Sequence, residues 1–167
     1  MLAWIRRLAA LTSIAFLAAC GGGNDGPDLN VVESAQADSR FSILVEAVSA
    51  AGLGPTLSGP GPFTVFAPTN TAFAALLSEL GVTKDQLLAD RALLTQVLTY
   101  HVVPGRVLSS QVPVGVPITT VQGQTFTVSP TLAITDQRGR TARIIETDLL
   151  ATNGVIHAID RVILPRP

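Results

Sequence analysis

A chain of 167 residues, 47% hydrophobic and 14% charged, has the length for one domain with a substantial core. Its formal net charge of −1, with no basic patch, excludes nucleic acid as a partner, and its single cysteine excludes an internal disulfide. In chain order, Met1–Arg7 carries Arg6 and Arg7 and no acid, and Leu8–Ala19 is apolar apart from Thr12 and Ser13. Leu17-Ala18-Ala19-Cys20 then precedes three glycines. A positive start, an apolar run and small residues before a cut point form an export signal. As a helix the run would cover roughly 18 Å, against a hydrocarbon core of about 30 Å, so it is too short to span.

Leu-Ala-Ala-Cys resembles the bacterial lipobox. That resemblance implies a lipoprotein signal peptide at 1–19 and a lipidated Cys20 as the first mature residue. With the thiol consumed, no thiolate nucleophile or cysteine metal ligand remains. Gly21–Asn30 is rich in Gly, Asn and Asp and reads as a flexible tether of at most about 35 Å. The expected division is therefore a tether at 20–30 and a single domain at 31–165. The protein is expected to be exported and lipid-anchored to the cell envelope. Gly21, where aspartate would signal inner-membrane retention in Gram-negative bacteria, favours the outer membrane, on its periplasmic or surface face.

Val31–Ala37 is weakly patterned and can open a helix. Asp38 or Ser39 can cap the next, in which Phe41, Leu44, Val45 and Val48 share a face and Gly52 marks the end. After Leu53–Ser58, Gly59-Pro60-Gly61-Pro62 is a turn cluster. Thr64, Val65 and Phe66 suit a strand, and Pro68 ends its ladder. Thr69, Asn70 or Thr71 can cap a helix that places Phe73, Leu76, Leu77 and Leu80 on one face and stops at Gly81. Thr83 with Gln86 is a capping-box pattern for a short helix at Lys84–Ala89. Asp90 can cap the next helix, which carries Leu94, Val97, Leu98 and Tyr100.

From Val107 the period becomes two. Ile118–Val121 and Gln124–Val128 flank Gln122-Gly123, and Leu132–Thr135 and Thr141–Ile145 flank Asp136–Arg140. Arg138 and Arg140 are expected in a solvated turn; with Arg143 they could alternatively face an acidic polymer or lipid headgroups. Thr147–Ala151 follows, Asn153-Gly154 is a hairpin cue, and Val155–Ile159 and Val162–Leu164 read as the last strands. The pattern is α+β, helices mostly first and hairpins mostly last.

Three stretches carry a resemblance: Thr64–Phe73 (TVFAPTNTAF), Leu94–Gly105 (LTQVLTYHVVPG) and Ala151–Pro165 (ATNGVIHAIDRVILP). In order and spacing they resemble the N-terminal, tyrosine–histidine and C-terminal motifs of the fasciclin domain family, over about Asn30–Pro165. The resemblance implies a fasciclin-like β-sandwich or wedge with a helical layer packed on one side. It also implies a non-enzymatic adhesion or protein-interaction role. In some animal fasciclin domains the tyrosine–histidine region and an Asp-Ile pair are linked to integrin-mediated adhesion. Tyr100 and His101 match the first, and Asp148-Leu149 stands in place of the second.

The residues that could form an adhesion contact, or instead determine the fold, are Tyr100, His101, Asp148, Leu149, Asn153, Gly154 and His157. His101 and His157 could hold zinc with Asp148 or Asp160 only if folding brought three ligands together. No Gly-x-Ser-x-Gly elbow, P-loop or dinucleotide glycine pattern occurs. No catalytic residue, metal or cofactor is therefore expected. The expected partners are the membrane, through Cys20, and an envelope or matrix protein or glycan. The alternative is a carrier for a small apolar ligand held between helices and sheet.

Overall fold

The computed structural model describes residues 27–167. The expected signal peptide, Cys20 and most of the tether lie outside the described residues. Leu29 and Asn30, expected in the tether, already belong to the folded body. The Leu29 carbonyl accepts from Thr152 N at 2.9 Å. Asn30 caps α1 (Val31–Ala37) in a reciprocal box with Glu33, which is why a weakly patterned segment is helical.

A 3-10 turn at Ser39–Phe41, capped by Asp38, leads into α2 (Ser42–Ala51), which buries Leu44, Ala47 and Val48. A single turn, α3 (Gly54–Leu57), precedes β1 (Phe63–Pro68). Thr69 caps α4 (Asn70–Leu80), Thr83 and Gln86 form the box of α5 (Lys84–Ala89), and Asp90 caps α6 (Arg91–Tyr100). Each cap satisfies otherwise unpaired N–H groups and contributes about 1 kcal/mol. On α4, Phe73 and Leu76 are buried as expected, but Leu80 is 42% exposed.

The remaining strands are β2 (Val102–Pro104), β3 (Ile118–Thr119), β4 (Thr125–Val128), β5 (Ala133–Thr135), β6 (Thr141–Ala151) and β7 (Gly154–Ile159). They form one sheet in the order β2-β1-β7-β6-β5-β4-β3. β1 and β7 run parallel, in register from Phe63↔Gly154 to Pro68↔Ile159, and the other pairings are antiparallel. The sheet curls until its two ends meet: Val121 N, just past β3, donates to the Val102 carbonyl on β2 at 2.8 Å.

The curl creates two apolar layers. Between helices and sheet lie Val65, Ala67, Ile156 and Ala158 against Phe41, Leu44, Phe73 and Leu94. Inside the curl lie Phe66, Tyr100, Phe126, Val128, Ile134, Ile159 and Ile163. Strand alternation explains the division, since Phe66 points away from its neighbours Val65 and Ala67. β7 is buried at every position because both of its faces are covered. This is the α+β wedge with helices on one side that the sequence implies.

Several local expectations change. Thr147–Ala151 is not a separate strand but continues Thr141–Ile145 as β6, whose register shifts at Ile144/Glu146 and Glu146/Leu149. Those bulges break the period of two. Val162–Leu164 is buried without being a strand, because side chains take its N–H groups: Ile163 N donates to His101 Nε2 at 3.1 Å and Leu164 N to Asp136 Oδ2 at 3.0 Å. In the last hairpin the loop residues are Thr152 and Asn153, while Gly154 opens β7 opposite Ala151. The turn at Asp136–Arg140 is not simply solvated. Arg138 Nε donates to the Pro165 carbonyl at 2.9 Å, and Arg140, its side chain 15% exposed, pairs with Glu79 on α4 at 2.9 Å. Arg143 is exposed.

Candidate functional site

α6 delivers Tyr100 and His101 as neighbours at its C-terminus, and successive helical residues point in different directions. Tyr100 enters the curl, edge-on to Phe126 with ring centroids 6.1 Å apart. Its hydroxyl donates to the Thr125 carbonyl at 2.8 Å and accepts from Gln137 N at 3.3 Å. Burial pushes its pKa up to about 12. His101 faces the C-terminal segment. Because its Nε2 accepts from Ile163 N, Nδ1 carries the proton and donates to the Val97 carbonyl at 2.7 Å. Burial lowers its pKa to about 4, so the ring is neutral at neutral pH. Tyr100 is 0% exposed and His101 1%, so neither offers a surface to an adhesion partner.

Asp148 sits at the β6 irregularity with φ 61°, a left-handed conformation that aspartate tolerates better than most residues. Its N–H donates to His157 Nδ1 at 3.2 Å, which leaves the His157 proton on Nε2, donated to the Val107 carbonyl at 2.9 Å. The Asp148 carboxylate accepts from Ser109 N at 2.8 Å and from Ser109 Oγ. Burial alone would raise the carboxyl's pKa, but the Ser109 hydrogen bonds outweigh it and hold the group below the usual carboxylate range. Leu149, half-buried, packs into the helix-side layer. His157 is fully buried, 5.4 Å from the Phe66 ring.

The segment after β2 is sewn down by residues that sequence reasoning passed over. Thr64 Oγ1 donates to the Gly105 carbonyl at 2.6 Å and accepts from Val107 N at 2.9 Å. Arg106 Nη2 reaches the Ala151 and Gly154 carbonyls. Together with Ser109, these join partners 39 to 48 residues apart in the chain. The one available signal was Thr64, a hydroxyl in an otherwise apolar strand.

Asn153 is the third node. Its Oδ1 accepts from Val31 N at 2.9 Å, and its Nδ2 donates to the Leu57 and Gly59 carbonyls at 2.8 and 2.9 Å. It thereby latches the β6–β7 loop to the start of α1 and to the loop before β1. Gly154 beside it permits the close approach of β1: a Cβ there would lie 2.1 Å from the Phe63 carbonyl oxygen.

Folding thus distributes the singled-out residues over three structural nodes. Among the described residues no three metal-ligating side chains converge. Asp160, weighed as a zinc ligand, instead accepts from Arg143 N at 2.7 Å. The helix–sheet layer, the expected place for a carried ligand, holds a cavity of only about 30 Å³ lined by residues such as Val31, Ala35, Leu44 and Leu57. No helix among the described residues is long and apolar enough to cross a membrane.

The family model for the fasciclin domain matches residues 39–165. Protein sll1483 of Synechocystis is 44% identical over 140 residues, covering 82% of this chain and 74% of that protein. Transforming growth factor-beta-induced protein ig-h3 of Sus scrofa is 38% identical over 135 residues, covering 81% of this chain but 19% of that protein. A solved FAS1 domain pair from the insect cell adhesion molecule Fasciclin I aligns with a TM-score of 0.71 at 16% identity. The alignment covers 83% of this chain and 51% of that one, and it is a likeness of fold.

Proposed function

The chain belongs to the fasciclin domain family, and from that premise we propose that it is a non-catalytic adhesion and protein-interaction module, exported and held at the cell envelope by a lipid on Cys20. The observation that carries the reading is the engagement of both ring nitrogens of His101 and His157, and of the Tyr100 hydroxyl, by backbone groups. The side chains best suited to chemistry hold the fold together, which leaves function to the outer surface. A likeness of fold to part of an insect cell adhesion molecule supports the same reading.

Exposed apolar side chains on the segment around β3 supply a contact face: Val114, Val116 and Val121 are 45%, 53% and 49% exposed. The partner class is an envelope or matrix protein or glycan, and the tether raises its effective concentration. Gly21, standing where an aspartate would favour inner-membrane retention, favours the outer membrane for the anchor if the source is Gram-negative.

The test is capture from envelope and matrix extracts by the full chain. A macromolecular partner is retained by Tyr100→Phe and lost by the triple variant Val114→Ser, Val116→Ser, Val121→Ser, with the melting temperatures recorded alongside. A triple variant that folds and still captures the partner sinks the assigned face. Capture of no macromolecule sinks the adhesion reading. Incorporation of labelled palmitate into the wild-type chain but not into Cys20→Ser checks the anchor.

A further inference from the structure

A groove outside the three nodes has an unusual lining. It runs between α4, α5 and α6 on one side and the C-terminal segment on the other, with a volume of about 240 Å³. Its floor is aliphatic: Leu87 and Leu164 are 5% and 4% exposed, Leu93 is half-buried, and Leu80 stands open at 42%. Arg138 and Arg166 also line it, and no acidic side chain does.

The two arginines are held by a crossed pair of bonds. Arg138 Nε donates to the Pro165 carbonyl at 2.9 Å, and Arg166 Nε donates to the Gln137 carbonyl at 3.2 Å. Among the described residues neither forms an ion pair. Nearby acids are already engaged: Arg140 takes Glu79, and Asp136 accepts from the N–H groups of Arg138, Arg140 and Leu164. Two guanidinium groups, fixed through Nε, therefore present their outer N–H forks without a paired carboxylate side chain. Such forks match a carboxylate in two-pronged fashion.

We propose that this groove binds a single-chain amphipathic carboxylate, such as a fatty acid, its chain on the leucine floor and its head on Arg138 and Arg166. The volume lies just below the roughly 300–1,000 Å³ of pockets for drug-sized molecules, which suits one acyl chain. The walls are helices and an irregular tail, with no strand edge on which an extended peptide could add.

The test titrates the full chain, carrying Cys20→Ser so that no acyl chain of its own competes, with dodecanoate and with dodecyltrimethylammonium. Both are kept below micelle-forming concentrations and followed by calorimetry. Dodecanoate is expected to bind saturably at one site, with no matching binding of the cation. Arg138→Gln with Arg166→Gln weakens dodecanoate about tenfold or more. Leu80→Glu, at a position the core does not use, weakens it without shifting the melting temperature. Should the double arginine variant fail to fold, methyl chemical-shift changes confined to Leu80, Leu87 and Leu93 in the unmutated groove carry the proposal. Absence of saturable binding overturns it, as does equal binding of the cation. A folded double variant with unchanged affinity, or shifts located elsewhere, does the same.

Discussion

Asn153 joins three parts of the chain through one amide. Asn153→Ala removes one accepted and two donated hydrogen bonds, for an expected loss of about 2–4 kcal/mol. In a domain of this size that lowers the melting temperature by roughly 5–15 °C. Asn153→Asp keeps the shape but aims an acceptor at the Leu57 and Gly59 carbonyls, so it is expected to be at least as damaging. Circular dichroism melts of both variants check this, and an Asp variant as stable as wild type would show that the two bonds donated to the Leu57 and Gly59 carbonyls contribute little. Asn153 was legible in the sequence as a turn residue, because turn chemistry is local. Its service as a latch was not, because Val31 and Leu57 approach it only in the folded chain.

At the scale of elements, local signals translated directly. The caps at Thr69, Thr83 and Asp90 act within three residues of themselves, and the helices they begin lie where periodicity placed them. Pairing is different, because it depends on which distant strand arrives alongside. Gly154 shows the consequence: it reads as half of an Asn-Gly turn, yet it opens β7 against the Phe63 carbonyl. Gly154→Ala is therefore expected to part β1 from β7 and to destabilise by about 3 kcal/mol or more. Urea unfolding measures the loss, and amide exchange should rise first along Phe63–Pro68. Val162–Leu164 was misread for the same reason, its apolar run resembling a strand while its N–H partners are the side chains of His101 and Asp136.

For the molecule as a whole, the burial of His101 makes stability depend on pH. In the unfolded chain the ring protonates near its ordinary 6.5, whereas in the fold it does so only near 4. Between those values the unfolded chain binds more protons, so stability falls as pH drops through that window and is level above it. The full effect is on the order of 3 kcal/mol. Tyr100 acts at the other end: its raised pKa stabilises the fold below about 10 and that contribution is lost as pH rises towards about 12. Denaturant midpoints between pH 4 and 7 check the acid limb, and a profile that stays flat from 6.5 to 4 would show His101 to be more solvated than its surroundings imply.

The parallel pairing of β1 with β7 also bears on how the chain reaches this state. The centre of the sheet joins residues about 90 positions apart, so the ends of a long loop must meet before the contacts that reward the meeting can form. Everything from α1 to β6 can be synthesised without completing the sheet, since an interior strand, β7, is the last to emerge. Completion of the native sheet therefore waits for Gly154–Ile159. Slow, late-committing folding of this kind is expected of the isolated chain, with refolding on the millisecond-to-second scale rather than the microseconds of helical bundles.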